Sequence, residues 1–435
     1  MTHLKVSIKG LLLLAMPAAL SALLNNAYRV IDQFAVQWLG VEAQAAIASC
    51  TFVLIGFFAV YSIISAGIIA LIARAVGAGD RQRQKQLLGN ALSGALLLGI
   101  VILTLSGTLA AQIAEWLGLQ GKLAELAATY LRWHAMFCLP QAIIPVIDAI
   151  FIAYGRTKIV LLLQITAASL NFILNPLFIY FLDYGIAGAA IATGVSQSVA
   201  LLLGLIKLLR MVRPERSCFL LDRTVIEIAF IGLPMCWGTL LFAGVYAGLL
   251  NWVISPLGPA VNAALGIGFS ALEGFTWPVF WGFSMALASL VGRSIGAGEL
   301  AHAQQAIRLA FKLLTCAGVL AGTIFWFGAE WLCGLFTEDP EVLSEAVLYA
   351  HVLAFSQLFV AYEALTEGVL NGAGKTKAIL FWSAPLNVLR IPFCWLFAIH
   401  FGWGSAAVWW VINISTLIKA AGKGWVVAKG SWRGG

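Results

Sequence analysis

Seven charged residues stand inside long apolar stretches of this chain: Arg29, Asp32, Asp148, Glu273, Glu363, Glu367 and Arg390. A charge in such a setting is costly and marks a functional position by default. Five of the seven are acids. A buried carboxylate can take up a proton or a sodium ion and release it when its surroundings change. It also attracts organic cations. Tyr28 lies one helical turn before Asp32, so its hydroxyl shares a face with that carboxylate. Arg29, three residues before Asp32, can pair with it. Glu273 is flanked by aromatics in ALEGFTWPVFW, and Glu363 is one turn from Glu367. Glu273 and Glu363 make a second candidate proton site. Asp148 and Glu367, 219 positions apart, each precede a basic loop by about two turns, and are candidate gating residues. Tyr246 and Trp277 add aromatic faces suited to an amphipathic cation beside Glu273.

The elements that must hold these residues follow from composition. Of 435 residues 61% are hydrophobic and only 10% charged. Soluble chains run nearer ~45–50% apolar and ~25% charged. Soluble and disordered classes are therefore excluded. The apolar runs are long and continuous, which fits spanning helices rather than barrel strands. Twelve helices are predicted, near 11–38, 45–73, 87–111, 128–153, 159–181, 186–206, 225–254, 261–292, 313–333, 346–372, 378–399 and 401–418. The apolar N-terminus is read as the first of them, retained. With both termini cytoplasmic, the inside segments hold 22 of the 26 Lys and Arg residues, as the positive-inside rule requires. The net charge of +7 is thus a matter of topology and does not indicate a nucleic-acid partner. By this placement Arg29 and Arg390 are the only basic residues deep in spans.

The sequence repeats itself at an offset near 217. ARAVGAGD (73–80) matches GRSIGAGE (292–299), YGRTK (154–158) matches AGKTK (373–377), and LNFILNPLFIY (170–180) matches LNVLRIPFCWL (386–396). The predicted architecture is an all-α integral membrane protein of two pseudo-symmetric six-helix bundles. Its parts are an N-lobe (1–206), a basic cytoplasmic linker (207–224) and a C-lobe (225–435). Duplicated bundles of this kind rock about a midplane site in transporters.

Enzyme and pump signals are absent. There is no phosphate-binding G-x-x-x-x-G-K-[ST] loop; GAGKT (372–376) has the wrong spacing. There is no H-E-x-x-H, and the seven cysteines form no C-x-x-C pair. No cofactor and no firm metal site are expected.

IDQFAVQWLGVEAQAAIA (31–48) resembles the first-helix motif of the multidrug and toxic compound extrusion (MATE) family. RAVGAGD with its twin GRSIGAGE, the stretch 170–197, ALEGFTWPVFWGFSMALASLVGRSIGAG (271–298) and EALTEGVLNGAGKTK (363–377) also resemble that family. The resemblance runs from about residue 11 to about 425. It implies a two-lobed antiporter that exchanges protons or sodium for amphipathic organic cations across the inner membrane of a bacterium or archaeon. It also implies that Asp32 is the leading coupling acid, with Asn171, Asn175 and Thr193 completing its cluster. Asn175 stands where many relatives carry an acid. That departure favours proton over sodium coupling, with sodium at Asp32 the alternative. A monomer in the bilayer, exporting small molecules, is the expected state. The rival reading is a flippase of lipid-linked or other amphipathic cargo.

Overall fold

The computed structural model describes residues 7–36 and 39–433, apart from the side chains of 26–34, 41, 48, 52, 270 and 271. Among the described residues there is no strand. The helices are α1 (Ile8–Val36), α2 (Val41–Gly77), α3 (Arg81–Trp116), α4 (Gly121–Met136), α5 (Cys138–Ala153), α6 (Thr157–Pro176), α7 (Gly185–Val212) and α8 (Arg223–Leu249). They continue as α9 (Ser255–Leu257), α10 (Pro259–Ile267), α11 (Glu273–Gly296), α12 (Leu300–Phe327), α13 (Ala329–Gly334), α14 (Pro340–Gly372), α15 (Thr376–Cys394) and α16 (Gly404–Ala428).

Ten of these helices are long and apolar enough to cross a membrane, and the pair α4–α5 makes eleven. The pair is bent by 54°, where the sequence predicts one helix near 128–153. Pro140 explains the break. It lacks an N–H, and its ring clashes with the carbonyl one turn back, so α4 cannot run on. The twelfth long helix is α16, which carries Trp409, Trp410, Asn413, Lys419 and Lys423. It extends ten residues beyond the expected end at 418, because Ala420, Ala421, Val426 and Val427 continue a helical run around the two lysines.

The repeated motifs become repeated backbone. Gly79 and Gly298 end α2 and α11 with φ of 71° and 74°, a region that a side chain makes costly. Pro176 and Pro392 precede matched π-helical turns, Leu177–Phe181 and Trp395–His400. A missing proline N–H frees the carbonyl that such a turn uses.

The chain divides into two compact units. The N unit is Leu24–Cys236. Within it α2 meets the first turns of α8 backbone to backbone. A Cβ on Gly67 would lie 2.0 Å from the Ile228 carbonyl oxygen, and one on Gly232 would lie 1.8 Å from that of Ile63. Small residues permit this approach where lipid supplies no hydrophobic drive between helices. The linker after α7 is fastened to α3 in the same unit. Ser93 donates to the Phe219 carbonyl (2.7 Å), Gln86 to Asp222 (2.8 Å), and the Asp222 amide to Asn90 (3.0 Å), while Lys85 pairs with Glu215 at 3.0 Å and Arg83 with Glu227.

The C unit is Met1–Leu23 with Trp237–Gly435. Here α11 is the most buried of the helices long and apolar enough to span a membrane. Gly282 faces Ala19 of α1, and Gly368 and Gly372 of α14 face the Ser284 and Ala288 carbonyls of α11. Leu11, Leu14, Phe280, Leu287, Leu314 and Val369 form one core at this seam. A second core joins Leu249, Val253, Tyr349, Val408 and Trp409.

Candidate functional site

In the C unit the charged side chains converge from four helices. Glu273 opens α11 directly after the π-helical turn Gly268–Leu272. The Tyr349 hydroxyl of α14 donates to Glu273 Oε2 at 3.1 Å. Gly268 makes room for that ring, since a Cβ there would lie 2.2 Å from Tyr349 Cε1. Trp409 holds the other side of Tyr349 edge-on at 4.8 Å. Among the described residues Glu273 has no ion pair. Its charged neighbours are Arg390 of α15 and Lys419 of α16, both beyond salt-bridge distance.

Arg390 is 2% exposed, and its hydrogen bonds go to hydroxyls: Nε to Ser415 Oγ (2.7 Å) and Nη2 to Thr416 Oγ1 (3.0 Å). Tyr246 stands beside Arg390 and Glu273, with its ring between Phe242 (4.6 Å) and Phe269 (5.6 Å). Trp277, one turn after Glu273, stacks on Trp281 at 5.7 Å.

Glu363 and Glu367 have a different setting. Lys423, fully buried, spends all three ammonium protons there: on Glu363 Oε1 (2.5 Å), Glu367 Oε1 (2.7 Å) and Ser383 Oγ (3.2 Å). Lys419 adds a second cation to Glu363 at 3.1 Å. Gly422 lets α16 press on α15, since a Cβ there would meet the Trp382 ring at 2.3 Å. These two acids are thus matched by two lysines, and their side chains keep 15% and 18% exposure.

The expectation that Arg29 and Arg390 are the only deep basic residues is corrected: Lys419 and Lys423 are buried beside Arg390. Both were assigned to a cytoplasmic tail because α16 was ended at 418. Their spacing of four, which places them on one helix face, was the available signal.

In the N unit Asn171 donates to Thr193 Oγ1 (3.0 Å), and Asn175 donates to Asn171 Oδ1 (3.1 Å). The expected cluster of these three residues is one hydrogen-bonded chain, wholly buried between α6 and α7. Tyr28, Arg29 and Asp32, and with them the sodium alternative at Asp32, lie outside the described residues. Asp148 Oδ2 accepts from Gln164 at 2.9 Å, and its Oδ1 is buried with no hydrogen-bond partner among the described residues. The position 219 before Lys423 is Gly204, packed on Ile147 and Leu163. The acids of the two repeats therefore differ in their counter-charge: Glu367 has a lysine and Asp148 has an amide.

The family model MatE matches residues 17–177 and 234–396. A probable multidrug resistance protein NorM from Thermotoga maritima is 25% identical over 388 residues, covering 85% of this chain and 81% of its own. A multidrug export protein MepA from Staphylococcus saprophyticus is 23% identical over 428 residues, covering 95% and 91%. A solved MOP superfamily transporter from Pyrococcus furiosus, described as having a binding pocket of reverse polarity, superposes with a TM-score of 0.91 at 21% identity over 99% of this chain and 98% of its own. The duplicated match, at the same place in both repeats and over most of the chain, shows that this protein belongs to the MatE family of multidrug and toxic compound extrusion transporters.

Proposed function

We propose that the chain is a proton-driven antiporter of the inner membrane that exports amphipathic compounds bearing a cationic group, with both termini in the cytoplasm. The observation that carries this reading is Glu273. It is the acid of the C-unit cluster that no lysine or arginine neutralises at salt-bridge distance, and it is held by one hydroxyl. A proton and a cationic cargo then compete for one carboxylate. Reciprocity follows, because each ligand lowers the affinity for the other by the same factor. Glu363 is already engaged by both lysines, so it serves better as a fixed polar brace. The Asn171–Asn175–Thr193 chain supports a second coupling position at Asp32, and Asp148 with Glu367 remain the gating candidates. The names of the relatives, a multidrug resistance protein and a multidrug export protein, support drug-like cargo.

Purified protein in liposomes tests this. The lumen holds ethidium, dansylcadaverine or Nε-dansyl-lysine, and a proton or a sodium gradient is imposed separately. Flux under the proton gradient alone, lost in Glu273→Gln, is expected. Flux lost only in Asp32→Asn moves coupling to the N unit. Sodium-driven flux overturns the choice of ion. Absence of flux in folded protein favours the flippase reading.

A further inference from the structure

Arg390 is a buried charge that proton exchange at Glu273 does not employ. Its place in the cluster is unusual for a site that admits cations. Glu363 and Glu367 are matched by Lys419 and Lys423, which leaves Glu273 and Arg390 as the two members without an ion pair among the described residues. An isolated buried charge is strongly unfavourable unless something compensates it. Two hydroxyls hold the guanidinium in place without neutralising it. With Glu273 ionised, the six charged side chains sum to zero; with a proton on Glu273 they sum to one positive charge. While both lysines stay protonated, the site is not net negative. A cargo carrying only positive charge would enter a neutral cluster, meet Glu273, and find Arg390 repelling it.

We propose that Arg390 selects the charge of the cargo: it disfavours purely cationic compounds and admits amphipathic zwitterions, whose ammonium group takes the place of the proton on Glu273 while their carboxylate pairs with the guanidinium. Guanidinium suits this role, because its planar fork matches a carboxylate bidentately. Tyr246 lies beside both charges, and with Phe242 and Phe269 packed against its ring it offers a face to the apolar part of such a molecule. The groups facing Glu273 are Tyr246 of α8, Tyr349 of α14, Arg390 of α15 and Lys419 of α16; Cys394 of α15 lies against Arg390 and Tyr246. The inference rests on the reading of the C unit as the cargo site.

Two probes differ by one group. Nε-dansyl-lysine is a zwitterion, and dansylcadaverine is the same skeleton without the carboxylate. Their fluorescence on binding to the purified full chain, with no gradient, reads the selector directly. The wild-type protein is expected to bind Nε-dansyl-lysine at least about tenfold more tightly, in line with one charge-assisted pair. Arg390→Gln should lose that margin, while dansylcadaverine binds as well as before or better. Arg390→Lys keeps the charge, so it should keep a preference for Nε-dansyl-lysine, which separates charge selection from mere packing of α15 on α16. Equal affinity for the two probes, or tighter binding of dansylcadaverine, in the wild-type protein overturns the proposal whether or not Arg390→Gln folds. So does an equal loss of both probes in a folded Arg390→Gln. Because no gradient is used, a failed preference leaves proton-driven export standing, and a preference without flux leaves the selector standing.

Discussion

Lys423 carries more of the fold than any acid around it. Its ammonium group has three protons and three partners, on α14 and α15, and no exposure to water. Removing one partner of a buried pair leaves the others uncompensated, at about 3–5 kcal/mol. Lys423→Met is therefore expected to lower the thermal midpoint of the purified protein severely. Adding Glu367→Gln to that variant should recover part of the loss, since it removes one stranded carboxylate. A Lys423→Met protein as stable as wild type would mean that the pairs do not hold α14 to α16. Glu273→Gln makes the contrasting case. Tyr349 still has an acceptor there, so stability should change by less than about 1 kcal/mol while coupling is lost. The acids themselves were legible in the sequence, because a carboxylate in an apolar run is conspicuous. Their counter-charges were not. A lysine near the end of a span reads as a topogenic residue, and only the true length of α16 turns Lys419 and Lys423 inward.

At the level of elements, close helix approach and the fastened linker make separate demands. Gly232→Ala would force a methyl to 1.8 Å from the Ile63 carbonyl, so α8 must move off α2. Overpacking of this kind costs about 1–3 kcal/mol, to be read as a lower melting temperature. Gly107→Ala, where the added methyl meets nothing within 4 Å outside its own helix, is the control and should be neutral or slightly stabilising. The linker gives a pH signature. The Thr224 and Gln86 side chains, then the Thr224 amide, donate to Asp222 and hold its carboxyl below the usual carboxylate range. A group with a depressed folded-state pKa contributes stability above its unfolded value, near ~4, and loses it as pH falls through the folded one. The protection factor of the Thr224 amide, its exchange rate measured against the intrinsic rate at the same pH, should stay high at neutral pH and fall only in acid. A protection factor already low at neutral pH would show that the strap is not fastened. The existence of the helices followed from apolar length. Their breaks did not, because the proline at 140 lies in the middle of an otherwise unbroken run, while the prolines at 176 and 392 only displace hydrogen bonds into a π-helical turn.

For the whole molecule, the repeat in the sequence gives two units of related construction but unequal chemistry. The N unit has a neutral chain of Asn171, Asn175 and Thr193, and an aspartate with an amide partner. The C unit has six charged side chains in one cluster. Duplication was readable because the glycines and prolines that shape the backbone recur at one offset. The division of labour was not, since Gly204 and Lys423 occupy matched positions and only the spacing of four between Lys419 and Lys423 hints at the difference. Cargo and proton are proposed to compete at Glu273. The most direct measurement is the proton released when Nε-dansyl-lysine binds the purified protein in weakly buffered detergent, followed with a pH-sensitive dye. Release in the wild-type protein, and binding without release in Glu273→Gln, is the predicted result. Release of the same size in Glu273→Gln would contradict it and place the exchanged proton on another acid.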